Sequence, residues 1–238
     1  MRAPMLPLAL LLLALSAPAM SAEIPANARS AQAQARVQAA LTEELRALGA
    51  DWGAPLYLRI FKASDELEVW VDTSAGHRLL RTWPICHWSG ELGPKTRQGD
   101  AQAPEGYYQV GPQQLNPASR YHLSFNLGYP NAYDRHHGRS GDYLMVHGNC
   151  VSIGCYAMGD AAIEEIYSLV AAALAHGQRA VPVHAFPFRM DPGWEQAHAD
   201  SEWLPFWRQL AAGYQAFERD RRPPRVRVIA GEYRVEER

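Results

Sequence analysis

Apolar residues recur along this chain with two different periods. From Ala28 to Leu48, in a stretch rich in Ala, Gln and Arg, they fall at Val37, Leu41, Leu45 and Leu48. Those spacings make one stripe on a helix, and Gly49 is placed to end it. From Pro55 the period drops to two. In PLYLRIFK, Leu56, Leu58 and Ile60 alternate with Tyr57, Arg59 and Phe61, and ELEVWV repeats the pattern. Both predict strands, separated by a turn around Ser64 and Asp65. RLLRTWPI, GYYQV, YHLSF and DYLMVH continue the strand-like series between Gly- and Pro-bearing loops. Asp160 is the expected N-cap of a helix whose apolar face is Ile163, Ile166, Tyr167, Val170 and Leu174, closed by Gly177. VPVHAFPFRM reads as a further strand whose prolines favour an edge position. Trp203 to Phe217 reads as a helix, and RVRVIAGEYRV as two short strands around a turn at Gly231. The pattern predicts a β-rich α+β fold with helices added at both ends, and it contains no internal repeat.

The N-terminus has a separate logic. Arg2 is a short positive start, Leu6 to Leu15 is an apolar run, and SAPAMSAE supplies small residues after it. This is the layout of a secretory signal peptide, assigned to residues 1–22, and the run is too short to span a bilayer. The remaining chain is expected to be exported to the periplasm with no membrane span. It divides into an N-terminal helical segment (23–53), a main domain (54–190) and a helical and stranded extension (191–238) packed on that domain. A net charge of −2 argues against general nucleic-acid binding. The basic run ERDRRPPRVRV reads as a solvated face, with long-range steering of an anionic polymer as the alternative. Three cysteines are few for an exported chain that depends on disulfides, and the odd count leaves a thiol unpaired.

Residues 146–155, VHGNCVSIGC, concentrate the candidate chemistry. As zinc ligands, His147, Cys150 and Cys155 lack both the usual paired spacing and a nearby fourth partner, so no metal is expected. A Cys150–Cys155 disulfide would leave Cys86 alone; Cys86 with Cys150 is the preferred pairing, although only Cα separations decide it. The third reading is a nucleophile with its base. His147 ends a strand, which is a rigid support. Gly154 removes the side chain directly before Cys155, letting a carbonyl come close to backbone N–H groups. An unshifted thiol is only about 3% thiolate at pH 7, so a neighbouring imidazole matters. Cys150 has no glycine before it, which makes Cys155 the nucleophile. The pair His136–His137 is a rival base, but it lies in the polar run DRHHGRSG rather than at a strand end. Trp52, Trp83 and Trp88 read as core residues before carbohydrate platforms, and Asp100 and Glu105 as turn residues before an acid pair.

VHG and SIGC in this order resemble the signature of the YkuD-type L,D-transpeptidases. The resemblance extends through SGELGPKTRQGDAQAPEGYYQV and SFNLGYPNAYDRHHGRSG, covering roughly Leu56 to Met190, and is closest to the YafK-like branch. It implies the β-rich catalytic fold of that family over 54–190. It further implies Cys155 as acyl-accepting nucleophile, His147 as its base, the Gly148 carbonyl as orienter of the imidazole, and Ser152 as a support for the loop. Backbone N–H groups around Gly154 and Cys155 are implied as the oxyanion hole. The implied substrate is a peptidoglycan tetrapeptide stem, with no cofactor. An amine would accept the acyl group. The alternative on the same scaffold is a hydrolase that cuts a peptidoglycan–lipoprotein linkage. Two departures bear on the acceptor: the His–Cys loop is shorter than in most of the family, and Ile153 stands where many members carry a second histidine. A papain-like peptidase is disfavoured, because there the cysteine precedes its histidine. A non-enzymatic envelope-binding module is the remaining rival.

Overall fold

The computed structural model describes residues 23–236, so the expected signal peptide lies outside the described residues. Along the chain run α1 (Ala28–Ala47), β1 (Leu56–Phe61), β2 (Glu66–Thr73), β3 (Gly76–Pro84), β4 (Gly106–Val110), β5 (Leu115–Asn116) and β6 (Ser124–Asn126). They are followed by α2 (Ala132–His136), β7 (Met145–His147), β8 (Tyr156–Ala157), α3 (Asp160–Ala175) and β9 (Val181–Phe186). The chain closes with α4 (Trp194–Ala197), α5 (Leu204–Asp220), β10 (Val226–Ile229) and β11 (Glu232–Val235). Among the described residues, no helix is long and apolar enough to cross a membrane.

α1 starts where Asn27 and Ser30 exchange hydrogen bonds, the side chain of each accepting from the backbone N–H of the other. Its buried apolar residues, Ala33, Leu41 and Leu45, face α3. Strands assemble into a five-stranded sheet ordered β3-β2-β1-β9-β4 and a four-stranded sheet ordered β5-β6-β7-β8. The alternation in β1 is real, but both of its faces are buried. Leu56, Leu58 and Ile60 join the large cluster that includes α1 and α3. Phe61 instead joins the cluster of Phe206, Leu210 and Tyr214 of α5, and Tyr57 meets Phe217. Arg59 can be buried between these because Glu68 and Glu218 neutralise it, while its guanidinium lies 4.9 Å from the Trp70 ring centre and 4.7 Å from that of Phe217.

Three local expectations are corrected. β9 is not an edge strand: it lies between β1 and β4. Its Pro182 is tolerated because pairing with β1 starts only at Val183, so Pro182 faces β4 alone, opposite Gln109. Asp160 is not the N-cap of α3 but its first residue; Gly159, with φ of +78°, is the cap. The Asp160 carboxylate is used elsewhere, as described below. YHLSF also yields a shorter strand than its pattern suggests, because His122 takes the left-handed conformation with φ of +67° and only Ser124 onward pairs.

The 191–236 segment shares one apolar cluster with the main sheet. Tyr107 and Phe186 from the sheet pack with Trp207, Tyr214 and Tyr233. Lys62 and Glu105 form a fully buried ion pair with 3.0 Å between Nζ and Oε1. Lys62 Nζ also donates to the carbonyls of Glu91 and Gly93, and Glu105 accepts from the Trp207 indole. One buried charge pair thereby fastens α5 and the loop around 91–105 to the end of β1.

Candidate active site

β7 and β8 run parallel, with Val146 opposite Tyr156 and His147 opposite Ala157. Val146 and Tyr156 point into the apolar core. Side chains alternate along a strand, so Met145, His147 and the residue level with Met145 share the other face. That residue is Cys155. The Met145 N–H points at its sulfur, 3.4 Å away. Base and nucleophile candidates thus sit on one face of neighbouring strands, two positions apart.

His147 is buried, and its Nδ1 lies 2.5 Å from the Gly148 carbonyl. A carbonyl only accepts, so Nδ1 carries the proton and Nε2 is left with its lone pair. Burial lowers the His147 pKa, partly offset by this hydrogen bond, so the ring is neutral around pH 7. Gly148 is held in turn. Its N–H donates to the carbonyls of Tyr121 at 3.0 Å and Leu123 at 3.1 Å. A Cβ on Gly148 would stand 2.7 Å from Asp160 Oδ1 and 2.8 Å from the Tyr121 carbonyl, so only glycine fits.

Cys155 is the free thiol, half-buried. Burial raises its pKa, while the Met145 N–H and the nearby Lys95 charge pull the other way. The resting thiol donates weakly to the Tyr143 carbonyl at 3.6 Å. Tyr143 has φ of +54°, an uncommon conformation for a bulky residue. Lys95 is buried and paired with Asp100. The Asp100 carboxylate also accepts from the N–H groups of Thr96, Arg97 and Gln102, so it organises a turn.

The bridge between the two is fixed at three points. Ser152 Oγ donates to the Cys155 carbonyl at 2.7 Å and accepts from the Gly154 N–H at 3.1 Å. The Gly154 amide is therefore already engaged, which makes the Cys155 amide the candidate oxyanion donor at this turn. Gly154 has φ of +133°, and a Cβ there would meet the Gln102 carbonyl at 3.3 Å. Asp160 Oδ1 accepts from the Asn149 N–H at 2.7 Å, pinning the bridge to the start of α3. Cys150 is joined to Cys86 in a disulfide with 5.4 Å between Cα atoms. This pairing removes Cys150 from any zinc site. Among the described residues, no group of three or more His, Cys, Asp or Glu could hold a metal ion.

The other candidates lie elsewhere. His137 Nε2 is 2.8 Å from the Gly231 carbonyl, so the His136–His137 pair faces the turn between β10 and β11. Trp83 is buried, and Trp52 and Trp88 pack against the main cluster. Sequence reasoning missed Tyr121, whose ring stacks on His147 with centres 4.7 Å apart and planes inclined by 29°. It also missed the Asp160 clamp, for which the acidic residue at a helix start was the one available signal.

The family model of the L,D-transpeptidase catalytic domain (YkuD) matches residues 57–214. YafK of Escherichia coli K12, whose designation as an L,D-transpeptidase is itself provisional, is 49% identical over 183 residues, covering 77% of this chain and 74% of that protein. Among solved structures, a point mutant of the helical cell shape determining protein Pgp2 from Campylobacter jejuni is 20% identical, with 73% of this chain and 62% of that chain covered and a TM-score of 0.46. Bd1075 of Bdellovibrio bacteriovorus is 18% identical over 69% of this chain and 60% of that one, with a TM-score of 0.40. The matched region thus spans less than two thirds of either of these two structures.

Proposed function

The chain belongs to the L,D-transpeptidase (YkuD) family, which acts on peptidoglycan, and from that premise we propose a cysteine acyl transfer carried out by Cys155 and His147. His147 Nε2 takes the Cys155 proton. The thiolate attacks the carbonyl joining diaminopimelate to the terminal D-alanine of a tetrapeptide stem. The C–N bond breaks, D-alanine leaves with the proton returned by the imidazolium, and a thioester remains on Cys155. The Cys155 N–H stabilises the oxyanion; one such donor is typically worth about 10²–10³ in rate. An amine acceptor, deprotonated by His147, then attacks the thioester; the C–S bond breaks, and the Cys155 thiolate takes the proton back from the imidazolium. Thiolate, imidazole and backbone donor cover these steps, so no metal or organic cofactor is called on.

The observation that carries this reading is the hydrogen bond from His147 Nδ1 to the Gly148 carbonyl, on the sheet face that also bears Cys155. It leaves a neutral imidazole with its Nε2 lone pair free of that bond, on the face that carries the thiol. A second outcome, hydrolysis of a peptidoglycan–lipoprotein linkage, is supported by the openness of the bridge. Val151 is 51% and Ile153 86% exposed, and the thiol is only half covered, which leaves water a path to the thioester. Site of action follows from substrate: we place it outside the cytoplasm, in the periplasm, after removal of residues 1–22.

Purified protein incubated with disaccharide tetrapeptides, and separately with lipoprotein-linked muropeptides, separates the outcomes by mass spectrometry. Cross-linked dimers indicate transfer to an amine, and released lipoprotein peptide indicates hydrolysis. Cys155→Ala and His147→Ala are expected to abolish both products and Cys150→Ala to leave the chemistry in place. An active Cys155→Ala protein would overturn the mechanism.

A further inference from the structure

α1 reaches the site through a loop that the proposed chemistry does not yet use. The loop at 117–122 lies between β5 and β6, and three side-chain bonds from the start of α1 hold it. Asn27 Nδ2 donates to the Pro117 carbonyl at 2.8 Å, and Arg29 Nη1 donates to the carbonyls of Ser119 at 2.8 Å and His122 at 2.6 Å. Within the loop, Ser119 Oγ accepts from the Tyr121 N–H at 3.1 Å. His122 turns through the left-handed region, and its Nε2 meets Glu164 of α3 at 2.7 Å, where Arg36 of α1 also pairs. The loop is therefore gripped from both helices.

What it presents to the site is Tyr121, in two ways. The Tyr121 carbonyl accepts the Gly148 N–H, and Gly148 is the residue whose own carbonyl holds His147 Nδ1. The Tyr121 ring covers one face of the imidazole. These constraints are complementary. The hydrogen bond fixes where Nδ1 points, and the stack fixes the plane in which the ring lies. The hydrogen bond opposes the flipped ring, in which Nδ1 would no longer reach the Gly148 carbonyl, and the stack opposes rotation out of plane. A tyrosine face also favours a neighbouring cation, and His147 becomes one when it takes the thiol proton.

We propose that Tyr121 is a positioning residue for His147, and that α1, through Arg29 and Asn27, is the element that holds it there. The claim rests on His147 serving as base to Cys155. α1 is accordingly part of the catalytic apparatus and not an appendage to it. The effect belongs to the reacting ring rather than to substrate binding, so it falls on kcat.

The test uses the full chain and tetrapeptide turnover, combined with ¹⁵N shifts of the His147 ring, which report its tautomer. Wild type is expected to show Nδ1–H and an unprotonated Nε2. Tyr121→Ala should mix the tautomers and lower kcat, by up to about 100-fold as for a misplaced catalytic group, with KM little changed. Tyr121→Phe should restore both the tautomer and most of kcat. Arg29→Ala touches an exposed side chain, so it should keep the wild-type melting temperature while shifting tautomer and kcat in the same direction, less far. A folded Tyr121→Ala protein with wild-type tautomer and kcat overturns the proposal. So does a rise in KM at constant kcat, which would make Tyr121 a substrate contact. If Arg29→Ala matches wild type on both readouts, the role of α1 falls. The underlying reading is tested apart: iodoacetamide alkylation of Cys155 should lose its near-neutral pH dependence in His147→Ala. If that dependence persists, the base assignment fails whatever Tyr121 does.

Discussion

Gly148 shows how much one residue position carries. Its N–H, its carbonyl and its missing side chain are all in use: the first to Tyr121 and Leu123, the second to His147, the third to admit Asp160. Glycine is required here by crowding, since both nearest atoms to a new Cβ are held by other bonds. One is the Tyr121 carbonyl and the other the Asp160 carboxylate that accepts from Asn149. Gly148→Ala must push one of them away. Forced insertions of this kind cost about 1–3 kcal/mol, and here the displaced groups hold the residue that orients the His147 ring. Urea unfolding should register that loss. Tetrapeptide turnover should fall further than Ser152→Ala makes it fall, because Ser152 braces the bridge without touching the imidazole. Equal activity in Gly148→Ala and wild type would mean that the Gly148 carbonyl does not set the ring.

At the scale of elements, the exposed bridge from Asn149 to Gly154 owes its order to attachments at its ends and to the disulfide at its middle. Cys86 follows β3, and its N–H and that of His87 both bond the Ala157 carbonyl, so the disulfide reinforces an existing junction between β8 and the chain leaving the large sheet. It closes a loop with a sequence separation of 64 residues. Removing a cross-link of that span typically costs about 4 kcal/mol through the entropy restored to the unfolded chain. The double variant Cys86→Ser/Cys150→Ser should lose stability of that order in denaturant titrations while its folded fraction still alkylates at Cys155. The elements themselves were largely legible in the sequence. The stripe of α1, the alternation of β1 and β2 and the face of α3 are local patterns, and His147 and Cys155 were marked by a strand end and a glycine. What was illegible depends on contacts distant in sequence. β9 became central because β1 and β4 both claim it, and its Pro182 was accommodated by where β1 pairing begins. Tyr121 looked like the start of a strand, and nothing local says that the loop from 117 folds back under α1. The position of Asp160 suits a cap, but a carboxylate at a helix start can equally serve the loop packed against it.

Across the whole molecule, α5 and the hairpin of β10 and β11 convert a sheet that could have faced water into one buried on both sides, and this has an electrostatic cost. The polar residues that β1 and β9 place on that second face must be neutralised or kept neutral. Arg59 is neutralised by Glu68 and Glu218. His184 is kept neutral. It is fully buried among Tyr57, Tyr107 and Phe186, with its Nδ1 hydrogen-bonded to the Tyr57 hydroxyl at 2.7 Å. Burial, with a smaller contribution from the Arg59 charge, pushes its pKa down from 6.5 to about 3. The folded pKa is depressed, so the unfolded chain binds this proton first. Stability is complete above pH 6.5 and is lost as pH falls toward 3. Between pH 6.5 and 5 the loss from this residue should be about 2 kcal/mol, at 1.36 kcal/mol per pH unit. His147 adds to it in the same direction, since burial lowers its pKa as well. Carboxylates held low by their partners, such as Asp100 and Glu164, contribute only at more acidic pH. Urea unfolding at pH 7.5, 6.5 and 5 should therefore show a fall before the carboxylates titrate. His184→Asn keeps a hydrogen-bonding side chain beside Tyr57 but removes the titration, so it should begin less stable at pH 7.5 and show a shallower slope down to pH 5. Parallel slopes for variant and wild type would show that the buried imidazole does not set the acid sensitivity of the fold.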